Sequence, residues 1–216
     1  MFTFIFIYVV VFLFSGVIRE VAHGYVAHLR GDDTAKMLGR ITLNPLPHVD
    51  LFGSIILPVM LLVVKAPVLF GWAKPAPINY DNLKNPKIDV PLIFIAGPLS
   101  NILLAVISGL GIRLIFAIPD FEAGVGGSIA TFLRIMLNVN VILSVINLIP
   151  FPPLDGSKII ACFLPSSVAT IYLDLMNSNP FLCAIILFLI LSSGIAWRFI
   201  NLVINFFVTI FSGIAL

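Results

Sequence analysis

Long apolar runs separated by short polar stretches dominate this chain, and they predict membrane-spanning helices. A helix needs about 20 apolar residues to cross a bilayer. Five runs approach that length: 2–18, which can continue as a helix to about residue 29, then 88–118, 129–149, about 180–193 and about 196–214. We therefore predict an all-α polytopic membrane protein with about five transmembrane helices.

Two stretches between the first and second of these runs do not fit a simple span. Residues 51–64 are apolar but short, and they contain Pro58. Lys65 follows, and polar sequence resumes after residue 73, so we predict a re-entrant or broken segment over 51–73. The polar loop before it is expected to be strand-like over residues 38–46, with a short strand at 41–43.

Composition agrees with a membrane protein. The 216 residues are 60% hydrophobic and only 10% charged, whereas a soluble domain carries about 25% charged residues. We expect one integral membrane domain over 1–216, with the first helix retained as a span and not removed as a signal peptide. A net charge of +2 without basic runs argues against a nucleic-acid partner. Cys162 and Cys183 lie in apolar runs and are expected to be buried thiols.

Candidate catalytic and metal-binding residues occur near the end of the first helix, in the stretch Arg19-Glu20-Val21-Ala22-His23. Its spacing is that of H-E-x-x-H, in which two histidines on one helix face bind Zn²⁺ and the glutamate is the general base. The first position is Arg19 in this chain. Because ionisable residues within a membrane are costly, each one here is a functional candidate.

Asp155 is the carboxylate that a second helix end can bring to this motif. It follows the proline-rich sequence NLIPFPPLDG (147–156), which must break the preceding helix. Glu20 and His23 also lie near the carboxyl end of their helix. For the three to meet at one membrane depth, the two helices must run in the same direction. The run 88–118 supplies the one crossing needed between them, so 51–73 should dip and return.

Taken together, several motifs resemble the site-2 protease family of intramembrane zinc metalloproteases, in a compact bacterial form without a PDZ domain. The motifs are REVAHGYVAHLRGDDTAKMLGRITLNP and HVDLFGSIILP within 19–58, GWAKPAPIN (71–79), AGPLSN (96–101) and NLIPFPPLDG (147–156). They cover most of residues 19–156 in the order of the family. The resemblance divides the chain into a protease-like core, 1–156, and a carboxyl-terminal amphipathic connection with a helical hairpin, 157–216.

The resemblance implies an intramembrane zinc endopeptidase that cleaves the transmembrane segments of substrate proteins. It makes His23 and Asp155 ligands of Zn²⁺ and Glu20 the general base that activates the zinc-bound water. It places Asn147 near the active-site cleft. Two further asparagines, Asn79 and Asn101, either orient an extended substrate or cap helices, and the sequence leaves both possibilities open.

Arg19 departs from the family, because its first histidine ligand falls on this position. An arginine donates hydrogen bonds and does not bind a cation. Its guanidinium could pair with Glu20 or Asp155 and replace the metal with a fixed positive charge. The alternative function is therefore an inactive homologue that binds membrane segments without cleaving them. A small transporter that relays protons through the two carboxylates is a third hypothesis.

Two other histidines are candidates to replace the missing ligand. His28 lies five residues beyond His23 and hence well off its helix face. His48 lies in a loop that could fold back, so it is the better substitute. Arg30, Lys36 and Arg40 in the same loop favour a cytoplasmic position. We therefore expect a multi-pass protein of the inner (plasma) membrane, with its site toward the cytoplasm.

Overall fold

The computed structural model describes residues 2–56, 59, 60, 63, 72–118, 125–178, 180–192 and 194–213. These residues are mostly helical, and they form no β-strand. The α-helices are α1 (Phe2–Leu29), α2 (Thr34–Met37), α3 (Pro86–Phe116), α4 (Val125–Asn147), α5 (Asp155–Ala161), α6 (Ser166–Ser178), α7 (Pro180–Ser192) and α8 (Ile195–Ser212). Short 3-10 helices span Leu46–His48 and Tyr80–Asn82, and a π-helix spans Leu51–Ile56.

Three of the described helices, α1, α3 and α4, are long and apolar enough to cross a membrane. They correspond to the first, second and third predicted spans. The last two predicted spans correspond to α7 and α8, which have 13 and 18 residues. At 1.5 Å per residue, α7 reaches about 20 Å and is shorter than the hydrocarbon core.

Helix α3 packs antiparallel to α1. Gly97 of α3 lies against the imidazole of His23, without room for a Cβ atom. One turn further along α3, the side-chain amide of Asn101 donates to the carbonyl of Ser15, two turns earlier on α1. Since the residue numbers increase on one helix as they decrease on the other, the two helices run in opposite directions.

Helix α4 runs parallel to α1. Near the carboxyl ends of both helices, Arg19 donates to the side-chain oxygen of Asn147. Two turns earlier on both helices, Val11 and Val139 belong to one buried apolar cluster. The direction that the sequence requires for the two site-bearing helices is therefore present, and α3 is the membrane-spanning helix that the described residues place between them.

The segment 51–73 begins and ends at the same place. The backbone N–H of Trp72 donates to the carbonyl of Gly53 (3.1 Å), and the hydroxyl of Ser54 donates to the carbonyl of Trp72 (2.7 Å). Two groups that are hydrogen-bonded to each other cannot lie on opposite sides of a membrane, so the described ends of this segment lie on one side. Positions 57, 58, 61, 62 and 64–71 of the prediction lie outside the described residues.

The stretch 38–46, expected to be strand-like, forms a series of bends. A strand requires a partner strand for its backbone groups. Here side chains take that place: Arg40 donates to the carbonyls of Lys74 and Pro75, and His48 donates to the carbonyl of Thr42. The neighbouring extended chain is therefore held by a guanidinium group and not by a backbone ladder.

At its carboxyl end, α8 lies beside the far end of α3. The Arg113 guanidinium donates to the carbonyl of Ile210, and Phe211 contacts Gly109. The contact brings the last turns of both helices to the membrane side opposite the beginning of α3. A buried apolar cluster joins α3, α4 and α8, with Ile112, Leu137 and Val208 among its members.

Candidate active site and its relatives

The motif of α1 faces the interior of the helix bundle. Glu20 and His23 are each only 2% exposed. They lie three residues apart and hence on one helix face. The imidazole of His23 packs at 5.3 Å from the ring of Phe94 on α3, and Gly97 gives it the space to do so.

Asp155 reaches the same place from the beginning of α5. Helix α4 ends at Asn147, and the proline-rich turn reverses the chain so that Asp155 is 4% exposed. Gly156 is needed for this turn, because a Cβ there would overlap the carbonyl groups of Leu148 and Ile149. Burial raises the pKa of the Asp155 carboxyl, but the Arg19 guanidinium and the His23 imidazole together more than offset this, and the pKa lies below its ordinary value.

Arg19 lies at the centre of the site. Its Nη2 is 2.6 Å from Oε1 of Glu20, and its Nη1 is 3.5 Å from Oδ2 of Asp155. Nη1 also donates to the side-chain oxygen of Asn147. One guanidinium therefore joins α1 to both α4 and α5, and its fixed charge faces two buried carboxylates.

Both carboxylate oxygens of Glu20 are engaged. Oε1 accepts from Arg19 (2.6 Å), and Oε2 accepts from the backbone N–H of Ala76 (2.8 Å). Oε2 is also 3.6 Å from Nδ1 of His23. A general base must accept a proton from water, and each oxygen of Glu20 already accepts one hydrogen bond, so the carboxylate has fewer lone pairs left for that role.

His23 and Asp155 meet through two atoms that have no hydrogen-bond partner within the described part of the chain. These are Nε2 of His23 and Oδ2 of Asp155, which are 3.4 Å apart. Two ligands at about 2.0–2.2 Å from a tetrahedral zinc ion are about 3.3–3.5 Å apart. This pair thus has the spacing of two zinc ligands.

The position of a third ligand does not fit zinc. A catalytic zinc site has three protein ligands and an open position, and Arg19 stands where the third ligand is expected. Among the residues that the structure describes, no group of three histidine, cysteine, aspartate or glutamate side chains is placed to hold a metal ion. Among the described residues, the site therefore offers two side chains at the spacing of zinc ligands, with a cation beside them.

Neither substitute histidine reaches the site. His48 is 1% exposed, and its Nε2 donates to the carbonyl of Thr42 at 3.0 Å. Burial lowers the pKa of His48, and the charge of Arg40 adds to this effect. His28 lies nearer the helix end and pairs with Asp33.

Of the three asparagines predicted to contact substrate, only Asn147 joins the charged cluster. Asn101 is fully buried, and its amide also donates to Oδ1 of Asn140 at 2.8 Å, so it packs the interface of α1, α3 and α4. Asn79 accepts from the N–H of Asp81, and its own N–H donates to Asp32. The structure does not bring Asn79 or Asn101 to the cluster.

Three contributors to the site were missed from the sequence. Ala76 contributes its backbone N–H. Since every residue except proline has this group, the residue type gives no signal for such a role. Gly97 acts by lacking a side chain, and the sequence shows it only as a helix-packing glycine. Lys158 lies one turn after Asp155 with its Nζ 4.3 Å from the centre of the Phe94 ring. The sequence signal that could have identified Lys158 is its position as a basic residue three positions after Asp155 on a helix.

The relatives of this chain agree with the motif resemblance. It is 37% identical over 195 residues to a Bacillus subtilis (strain 168) protein named "Putative zinc metalloprotease YwhC", covering 89% of this chain and 85% of the relative. It is 30% identical over 144 residues to "Putative zinc metalloprotease Rip2" of Mycolicibacterium smegmatis (strain ATCC 700084 / mc(2)155), covering 67% of this chain and 52% of that protein. No family model and no solved structure matches the chain. The chain belongs to the zinc metalloprotease family of YwhC.

Proposed function

We propose that this protein is an intramembrane member of the site-2 protease type in which Arg19 has replaced zinc catalysis, and that it binds transmembrane segments without cleaving them. One observation carries the proposal: the Arg19 guanidinium contacts both Glu20 (2.6 Å) and Asp155 (3.5 Å). The general base and a metal ligand of the family are thus both paired with the same cation.

Electrostatics explain why this arrangement disfavours zinc. An arginine in a protein stays protonated, so its charge cannot be removed to admit a metal. A zinc ion between His23 and Asp155 would lie close to Nη1, because Nη1 is 3.5 Å from the same Oδ2 atom. In a site shielded from water, the repulsion between like charges is strong. Metal affinity would fall, and the missing third ligand would lower it further.

Segment binding is the part of the family's function that does not need a metal. The helix directions, the proline-rich turn and the polar groups at the ends of α1 and α4 are all retained. Leu148, beside Asn147, is 42% exposed and gives an adjacent apolar surface. We infer that a transmembrane segment of a partner protein binds there, next to Asn147, from within the bilayer.

Zinc stoichiometry tests the loss of catalysis. The purified parent in detergent should hold less than about a tenth of an equivalent of zinc, and Arg19→His should approach one equivalent, since the other two ligands are in place. Arg19→His combined with His23→Ala is the matched control and should bind no more than the parent. One equivalent of zinc in the parent, with cleavage of a membrane substrate, would overturn the proposal.

Photo-crosslinking tests the binding. A photoreactive amino acid at position 148 should give adducts with intact membrane proteins in native membranes, and the same residue at Leu110, on lipid-exposed α3, should not. Adducts that contain only shortened partners would indicate cleavage. The absence of any adduct specific to position 148 would count against segment binding.

A working zinc endopeptidase is the second candidate, and a specific observation favours it. Nε2 of His23 and Oδ2 of Asp155 make no hydrogen bond within the described part of the chain and are 3.4 Å apart, a spacing that suits a metal if Arg19 turns away. The same zinc measurement, followed by a cleavage assay with and without a chelator, decides between the two candidates.

We also infer that the site faces the cytoplasm from the inner membrane. The loop between α1 and α3 carries Arg30, Lys36 and Arg40, and loops rich in lysine and arginine stay on the cytoplasmic side. A cysteine at Lys36 should react with an impermeant maleimide only after the membrane is opened. Labelling in intact cells would reverse the orientation.

A further inference from the structure

Residues 72–79 form an extended segment that we name the strap. It begins where the re-entrant segment returns and ends at the 3-10 helix Tyr80–Asn82. Its backbone is not helical although it lies against a membrane-spanning helix. Non-helical backbone is tolerated within a membrane only where protein groups or water form hydrogen bonds with its N–H and C=O groups.

The strap follows α1 along the face that adjoins the site. A Cβ on Gly16 would lie 3.8 Å from the Cβ of Ala73, and one on Gly24 would lie 4.0 Å from the Cβ of Ala76. Gly16, Glu20 and Gly24 are four residues apart and hence on one helix face. Small residues on both partners let the strap lie directly on α1, beside the charged cluster.

Polar groups outside the site hold the strap in place. Arg40 donates to the carbonyls of Lys74 (2.7 Å) and Pro75 (3.2 Å). The N–H of Lys74 donates to the carbonyl of His48 at 2.8 Å, and Asp32 accepts from the N–H of Asn79 at 2.8 Å. Three points in the loop after α1 therefore fix the strap along most of its length.

One backbone group of the strap enters the site itself. The N–H of Ala76 donates to Oε2 of Glu20 at 2.8 Å. Lys74 and Pro75 are exposed, whereas Glu20 is 2% exposed. The strap thus has one edge toward solvent or lipid and the other on the buried carboxylate. The backbone of the strap therefore covers the Oε2 side of Glu20.

We propose that the strap is an autoinhibitory cover, held closed by Arg40 and Asp32, and that a bound polypeptide reaches Glu20 and Asp155 only when the strap lifts from α1. This regulation rests on the proposed function of the same site. The anchors lie in the loop after α1, so opening requires no change in the packing of α1, α3 and α4. Lifting would break the hydrogen bonds that the strap makes with Glu20, Arg40, His48 and Asp32, whereas Pro75 and Pro77 have no N–H to donate.

Hydrogen exchange of the full chain in lipid nanodiscs tests the cover. In Arg40→Gln, two hydrogen bonds to the strap are lost, and the amides of 72–79 should exchange at least about fivefold faster, with those of α3 unchanged. Arg134→Gln, which removes an exposed guanidinium from the ring of Phe116, is the matched control and should leave the strap unchanged. Equal exchange in both variants would overturn the proposal.

A disulfide that closes the strap gives a second test that does not depend on Arg40. The 3.8 Å spacing at Gly16 and Ala73 equals the usual Cβ separation in a disulfide. In a chain with Cys162→Ala and Cys183→Ala, Gly16→Cys with Ala73→Cys should, when oxidised, slow strap exchange at least about fivefold relative to the reduced form. Identical exchange in the two forms would mean that the strap does not lift.

The same disulfide tests the strap's role as a cover independently of the proposed binding function. Photo-crosslinking from position 148 should fall at least about fivefold on oxidation and recover on reduction. A change in exchange without any adducts in either form would support the cover but refute segment binding. Adducts of equal yield in both forms would support segment binding but refute the cover.

Discussion

The side chains of Arg19 and Asp155 face each other between α1 and α5, with Nη1 3.5 Å from Oδ2. In the related zinc site that the sequence suggests, a metal would join these two elements. Here a side chain does so, and its charge does not depend on metal supply. The contact therefore has a consequence for stability as well as for chemistry.

Replacing Arg19 with Met should destabilise the protein. The change leaves Glu20 and Asp155 buried without their cation, and breaking a buried ion pair costs about 3–5 kcal/mol. Chemical unfolding in one detergent would measure the loss. Arg19→Lys keeps the charge but not the planar guanidinium, so its free energy of unfolding should fall less. Arg198→Met, at an exposed position, should have the same free energy of unfolding as the parent. Equal stability of Arg19→Met and the parent would show that the guanidinium contributes nothing.

Adding a methyl group at Gly97 should disturb the same cluster from α3. A Cβ there would lie 2.7 Å from Cγ of Arg19 and would overlap the imidazole of His23. Overpacking of this kind costs about 1–3 kcal/mol. The unfolding free energy of Gly97→Ala should fall by that amount, whereas Gly194→Ala, with no atom within 4 Å of the added Cβ, serves as the control. A stable Gly97→Ala protein would mean that the helices separate freely.

The amide pair of Asn101 and Asn140 should show coupling in a double-mutant cycle. Asn101 donates to Oδ1 of Asn140 at 2.8 Å, and both residues are fully buried. Asn101→Leu leaves an unpaired amide oxygen and should cost about 1–2 kcal/mol. The double variant Asn101→Leu with Asn140→Leu removes both partners and should cost less than the sum of the single changes. Additive losses would show that the pair is not an interacting unit.

Residue type and order were enough to predict three of the five expected spans and the meeting of His23 with Asp155. Apolar length identifies a span, and a proline-rich break locates a helix end. Because the two carboxyl-terminal helix ends must share one depth, the direction of α4 also followed from the sequence. These features depend on side-chain chemistry and chain length, which a sequence contains.

Features that depend on backbone groups or on precise separations were not accessible in this way. The N–H of Ala76 has no signature in the sequence, so its bond to Glu20 was not predicted. For Asn101 the sequence left open whether it orients a substrate or caps a helix, whereas the family resemblance placed Asn147 near the cleft. Only the packing of α1, α3 and α4 shows that Asn101 is enclosed between these helices and that Asn147 lies in the charged cluster. The bends at 38–46 likewise arise from the reach of the Arg40 side chain.

Asp32, just after α1, accepts four hydrogen bonds, and one of them joins it to the strap. It is fully buried, and it accepts from the N–H and hydroxyl of Thr34, the N–H of Asn79 and the amide of Asn82, at 2.5–3.1 Å. Burial raises the pKa of Asp32, but these hydrogen bonds lower it more, and the pKa lies below its ordinary value. The ionised form is therefore the one that the fold favours.

A carboxyl whose pKa is lowered by folding stabilises the folded state when it is ionised. This contribution is complete above the unfolded-state pKa, near 3.9, and it is lost as the pH falls through the folded-state pKa. The thermal midpoint of the parent should thus fall as the pH is lowered from about 5 through the folded-state pKa. Asp32→Asn should be less stable at pH 7 and should lose less on acidification, because the titrating group is gone. Asp33→Asn, at the exposed neighbour, controls for the loss of one charge. If Asp32→Asn and the parent show the same pH dependence, the acid sensitivity of the fold originates elsewhere.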